Sequence, residues 1–243
     1  MPGSSQPVDT PRYSVFSGDT LEGLRQAHTQ ARTANDAGML RACGLIERAV
    51  VASDAGRYDE ARTLIAEGLA GATDERLLFL GFQFHFRNKD LDEAERLARR
   101  RLELAPERSA AASRACTNLG LVHLFRGEWD ASEAMQRRAL EIDGTLGDEA
   151  GVARDLGNLA LVPEARGDLD AAAKLYEEAL EIAERIGARA IVATKLANLG
   201  DIARTRGKRE EANSLWTRAA RLFEDLGNAK SRDGCLGKLS SPP

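Results

Sequence analysis

The sequence is poor in the residues that most often carry chemistry. Of its 243 residues only three are histidine and three cysteine, and aromatics make up 5%. His28, His85 and His123 form no HxxxH or HExxH spacing, so the sequence offers no helical metal-ligand set. Cys43, Cys116 and Cys235 are odd in number and far apart, which excludes a disulfide framework and a CxxC motif. A reducing compartment, the cytoplasm, is the expected location. There is no run of 18 apolar residues, and the opening MPGSSQPVDTPRYSVFSGDT lacks a basic cluster followed by an apolar stretch. Neither a membrane span nor export is expected.

Nucleotide-cradling GxxxxGKS/T and GxGxxG loops and the GxSxG nucleophile turn are also missing. Paired carboxylates such as Glu177-Glu178 and Glu210-Glu211 lie among Arg and Lys on helical faces, as solvated ion-paired surfaces do. The reading is therefore of a chain that is not an enzyme and takes no cofactor and no metal. A formal charge of −4 does not favour nucleic acid as the main partner, which would need a basic excess or a concentrated basic face.

What the sequence has is helix-forming composition and a repeat. Charged residues reach 30% and hydrophobic ones 43% with few aromatics, the mixture of packed helices rather than sheets. Residues 113–152, 153–192 and 193–232 superpose without a gap at a spacing of 40. Asn118, Asn158 and Asn198 recur, each followed by Leu. So do Arg126-Gly127, Arg166-Gly167 and Arg206-Gly207, then Ala139, Ala179 and Ala219.

Each unit reads as two helices. The first ends at the Arg-Gly pair, and its arginine is expected to meet helix C-terminal carbonyls. The second carries Ala172, Tyr176 and Ala179, or Ala212, Trp216 and Ala219, on one face. Trp129 and Trp216 are both expected in the core, and Cys116 is expected buried and inert. The same grammar, more loosely kept, continues upstream through AGRYDEARTLIAEGL and KDLDEAERLARRRLELAP. LLFLGFQFHF, residues 77–86, alternates like a strand over its second half, but the repeat frame makes it a helix. Pro163 falls inside a first helix and predicts a kink or a shortening there.

The small-small-aromatic-Ala pattern, with the NLG/NLA and RG signatures, resembles tetratricopeptide repeats. The 40-residue spacing is similar to the long repeats of LGN/Pins adaptors, kinesin light chain and bacterial regulators. The resemblance implies an all-α, right-handed superhelix of about five helix pairs with terminal capping helices. Its expected parts are a disordered segment over 1–16, a helix over 19–36, repeats near 39–71, 72–108, 110–149, 150–189 and 190–228, and a cap over 229–239.

In that family the first helices line a concave groove, and this sequence places a stripe on each. The implied groove residues are Arg76, Gln83 and Arg87, then Arg114, Asn118, Leu121 and Phe125, then Arg154, Asn158 and Leu161, then Asn198 and Asp201. Asn can donate and accept to a ligand backbone, or it can join neighbouring helices, and both roles stay open. The expected function is a protein-interaction scaffold or adaptor holding a peptide or protein segment, acidic or with a free C-terminal carboxylate. The alternative is a ligand-sensing or nucleic-acid-associated regulatory module that uses the Arg-rich wall.

Overall fold

The computed structural model describes residues 18–239, so the segment 1–16 expected to be disordered lies outside the described residues. Among the described residues there are thirteen helices and no strand. They fall into two compact units, and the chain passes from one to the other near residue 108.

In the N-terminal unit α1 (Gly18–Thr33) is followed by two helix pairs. These are α2 (Ala37–Asp54) with α3 (Tyr58–Leu69), and α4 (Glu75–Arg87) with α5 (Leu91–Leu104). Asp36 opens α2 by accepting from the Met39 N–H at 2.9 Å, and Asp74 opens α4 by accepting from Arg76 and Leu77. Each carboxylate satisfies donors that a helix start leaves without a partner. The alternating segment 77–86 is helical, as the repeat frame requires, with Leu77, Leu78, Leu80, Phe82, Phe84 and Phe86 all buried. Gly81 is what lets α3 close on α4, because a Cβ there would stand 2.3 Å from Leu69 Cδ1. Helix α1 buries Leu24, Ala27 and Ala31 and packs on both α2 and α4.

The C-terminal unit holds the 40-residue repeats. α6 (Ala110–Phe125) pairs with α7 (Trp129–Leu146). α8 (Glu149–Leu159) and α9 (Leu161–Arg166) pair with α10 (Leu169–Arg185), and α11 (Arg189–Thr205) pairs with α12 (Arg209–Asp225). Each second helix also packs on the next first helix, and α12 packs on α13 (Ala229–Leu239). The stripe read from the sequence is the core: Ala172, Tyr176 and Ala179 are 0% exposed, as are Ala212 and Ala219, with Trp216 at 2%. Burying a ring of this size removes about 150–250 Å² from water, worth roughly 4–6 kcal/mol before the entropy of ordering it is subtracted. In α7 the stripe is Ser132, Gln136 and Ala139. Its polar members are served by first-helix carbonyls, with Ser132 Oγ donating to Gly120 O (2.8 Å) and Gln136 Nε2 to Thr117 O (3.3 Å).

Pro163 divides the fourth first helix. A proline has no N–H for the carbonyl four residues back, and its ring crowds that carbonyl. The helix accordingly breaks at Ala160, between α8 and α9. Gly167, at φ 84°, closes α9 in the left-handed region that a side chain disfavours.

Two expectations need correction. Trp129 is 39% exposed rather than core, because it is the first residue of α7 and lies outside the 132, 136, 139 stripe. Arg166 and Arg206 reach backward to the start of the preceding second helix rather than to a helix C-terminus. Arg166 pairs with Asp130 and Glu133; Arg206 pairs with Asp170 and donates to Leu169 O at 3.0 Å. An acid in the first turn of each second helix sits 36 residues before the arginine, and the stacking brings the two together.

Candidate functional site

The stripe of the C-terminal unit runs over α6, α8, α9 and α11, and the structure sorts its members into three groups. Leu121, Phe125, Leu161 and Ala165 are half-buried, and Arg114 is exposed. The four apolar side chains keep part of their surface open, and Arg114 stands about two helical turns before Leu121 on α6. Asn118, Asn158 and Asn198 are 7%, 5% and 4% exposed, so the ladder shows only an edge. Asn118 Nδ2 is buried with no hydrogen-bond partner.

The third group is polar but committed to other residues of the chain. Arg154, with a side chain 39% exposed, donates from Nη2 to Asp143 Oδ2 at 2.7 Å and from Nε to Asp155 Oδ1 at 3.3 Å. Asp201 accepts twice from Lys238 Nζ of α13, at 2.6 and 2.9 Å. The charges of Arg154 and Asp201 are thus met from within the chain. Thr205 likewise turns its hydroxyl onto the Asp201 carbonyl at 2.9 Å, and Thr194 turns its own onto Ala190 O at 2.9 Å.

The N-terminal unit carries Arg76, Gln83 and Arg87 on α4. Arg76 donates to both Asp74 oxygens, at 3.1 and 2.6 Å, and to Gln30 Oε1 of α1 at 2.8 Å. Burial would raise the Asp74 carboxyl, but its hydrogen bond to Arg76 and that charge outweigh burial and hold it below its ordinary value. Gln83 is 8% exposed with Oε1 lacking a partner, and Arg87 is exposed.

Beneath the C-terminal wall lies a polar layer that the sequence reading passed over. Thr117 Oγ1 donates to Asp155 Oδ1 at 3.0 Å across the α6–α8 seam. Burial, the largest influence, lifts the Asp155 carboxyl to about 7; Arg154 opposes this and Asp143 adds to it. Lys195 of α11 is 4% exposed, and burial pushes its amine down to about 8 against the pull of Asp155. The ammonium occupies the space where Gly157 has no side chain: a Cβ there would stand 1.7 Å from Nζ. It also lies 5.8 Å from the centre of the Tyr176 ring, within cation–π range. One signal for this layer was legible. Positions 115, 155 and 195, one repeat apart, read Ala, Asp and Lys, so opposite charges occupy successive copies of a slot that holds a small residue in the first.

Cys116 is fully buried, and burial raises its thiol. Among the described residues no group of three or more His, Cys, Asp or Glu is placed to hold a metal ion, and no helix is long and apolar enough to cross a membrane.

A tetratricopeptide repeat family model matches residues 111–185 and, one repeat on, 151–225. No curated protein matches the chain. Among solved structures it is similar to BtubC (BKLC) from P. vanneervenii, at 20% identity and a TM-score of 0.61, over 86% of this chain and 90% of that one. It is also similar to aspartyl phosphate phosphatase F from Bacillus subtilis, at 14% identity and a TM-score of 0.71, over 87% of this chain but only 57% of the other. A third is the set of nearly identical TPR-like repeats of a putative kinesin light chain from Podosopora anserina. There the identity is 15% and the TM-score 0.57, over 76% of this chain and 96% of that one. At these identities the likeness concerns the fold alone.

Proposed function

Because this chain belongs to the tetratricopeptide repeat family, we propose that it is a non-enzymatic interaction module of the cytoplasm, holding a peptide or protein segment against the first-helix wall of its C-terminal unit. The observation that carries this reading is that Leu121, Phe125, Leu161 and Ala165 are half-buried on the first helices and Arg114 is exposed about two turns before Leu121. Stacked helix pairs fix these side chains in advance, so a ligand would not have to meet the entropy of ordering them. The apolar side chains suit a hydrophobic anchor. Arg114 suits a carboxylate of the same segment, whether an acidic side chain or a free C-terminus. The Asn edges at 118, 158 and 198 suit backbone contacts.

A wall that grips phosphate is less well supported. Arg76 and Arg154 are held by Asp74 and by Asp143 with Asp155, which reduces what either can give to a phosphate chain.

Selection from a displayed peptide library, followed by affinity measurement, tests the reading. Enriched peptides should combine an apolar anchor with a carboxylate. Removing a charged hydrogen bond costs about 1.5–3 kcal/mol, so Arg114→Ala should weaken binding by roughly 10- to 150-fold. Phe125→Ala should weaken it as well, and salt should weaken it only modestly. If both variants bind the enriched peptides as the wild type does, the site is elsewhere.

A further inference from the structure

Two carboxylates face each other inside the C-terminal wall. The side chains of Asp143 on α7 and Asp155 on α8 are 1% and 0% exposed, and they lie within hydrogen-bonding range of one another. Asp143 Oδ2 accepts from Arg154 at 2.7 Å, and Asp155 Oδ1 accepts from Thr117 at 3.0 Å and from Arg154 at 3.3 Å. Asp143 Oδ1 and Asp155 Oδ2 are buried with no donor. The seat is built for the pair, since a Cβ on Gly151 would stand 2.1 Å from Asp143 Oδ2.

The cations around the pair leave one oxygen of each carboxylate, Asp143 Oδ1 and Asp155 Oδ2, without a donor. Arg154 serves both carboxylates and is itself on the wall surface. From α11 comes Lys195, whose amine burial pushes down to about 8. From α6 come Cys116 and Thr117, and from α7 Arg138, which acts on Cys116. Asp148, in the α7–α8 connection, adds a further negative group, its Oδ2 2.8 Å from where a Gly151 Cβ would be. From α10 comes Tyr176, its ring near Lys195 and its hydroxyl donating to Glu164 at 2.8 Å. A carboxylic acid, unlike a carboxylate, has an O–H to donate. One proton held between Asp143 and Asp155 would remove one buried charge and provide the missing donor.

The geometry points to a single proton, taken from water, shared between Asp143 and Asp155 and acting as a latch on Arg154. With the proton in place one negative charge remains, and the exposed edge of the guanidinium is available to a ligand carboxylate. Without it two buried carboxylates draw on the same guanidinium and hold it into the wall. The shared proton stands independently of the proposed function; the effect on a ligand rests on it. The burial that lifts Asp155 to about 7 sets the exchange near neutral pH.

The test is an NMR titration of the full chain from pH 6 to 9, following the aspartate carboxyl carbons and Arg154 Nε, with no ligand present. One carboxyl of the pair should titrate near neutrality, well above the exposed aspartates, and the Arg154 signal should move with the same midpoint. In Asp155→Asn both responses should vanish; Asp143→Asn is the second variant should the first not fold. Two carboxyl signals that stay at the ionised position down to pH 6 would overturn the shared proton. A titrating pair with a motionless Arg154 would overturn the latch. The affinity of a selected acidic peptide should fall about three- to tenfold between pH 6 and 8 in the wild type. Equal affinity at both pH values, with that peptide shown to bind the wall, would also overturn the latch.

Discussion

Arg154→Ala separates a binding role from a structural one. The guanidinium is the direct partner of two carboxylates that are 1% and 0% exposed, so truncating it leaves their charge buried and uncompensated. Removing one member of a buried ion pair typically costs about 3–5 kcal/mol. Two features reduce that here. Arg154 is 39% exposed, so water screens part of the interaction, and Asp155 already holds a proton up to about pH 7, so a second charge can be neutralised by protonation. At pH 7.5 we expect a loss of about 2–4 kcal/mol, which for a chain of this size is roughly 5–12 °C in melting temperature. At pH 5.5 the proton does part of the work of the missing cation, and the loss should shrink to about 1 kcal/mol. Arg114→Ala, on the exposed part of the same stripe, should stay within about 0.5 kcal/mol at both pH values. Urea unfolding followed by far-UV circular dichroism measures all of these. An Arg154→Ala chain as stable as the wild type at pH 7.5, or one losing as much at pH 5.5, would refute the reasoning.

Close packing makes Ala179→Trp and Ala139→Trp costly, by about 1–3 kcal/mol or more, since both alanines are 0% exposed between helices, whereas Glu177→Ala on the outer face should be nearly silent; thermal melts that do not separate the two classes would contradict the helix-face assignment. Gly157→Ala should destabilise because its Cβ would displace the Lys195 ammonium and its Cε, 2.3 Å away, and adding Lys195→Ala should recover part of the loss; additive losses in the double variant would disprove the cradle. The two shifted groups predict the shape of stability against pH. The raised carboxyl of Asp155 contributes stability that is full below the ordinary Asp pKa and lost as pH rises through about 7. The depressed amine of Lys195 contributes stability that is full above the ordinary Lys pKa and lost as pH falls through about 8. The melting temperature should therefore be lowest between pH 7 and 8, and Lys195→Met should flatten the alkaline side; an alkaline limb unchanged by that substitution would count against the assignment.

The helices were legible because their signals are local and periodic. The 40-residue recurrence, the Gly after each Arg and the Ala-aromatic-Ala stripe each follow from what one helix needs in order to end or to bury a face, and α6 to α12 follow them. The break at Pro163 was legible for the same reason. Trp129 was misread because its distance from the stripe is a matter of three residues at a helix start, where residue type says little about exposure. The candidate site was legible only in part. The stripe named Arg114 and Arg154 as equivalents one repeat apart, and their surroundings make them different: one is exposed, and the other bridges two buried carboxylates.

Sequence alone determined the repeat and its spacing, from recurrence along the chain, and the terminators and buried face of each second helix, which depend on residues within a turn or two of one another. Tertiary structure alone decided which polar side chains are spent inside. Thr117 with Asp155, Gly157 with Lys195 and Asp201 with Lys238 lie 37 or 38 residues apart and meet only once first helices stack. The cost of burying a charge is set by what stands opposite it, and in a repeat protein what stands opposite belongs to the next repeat.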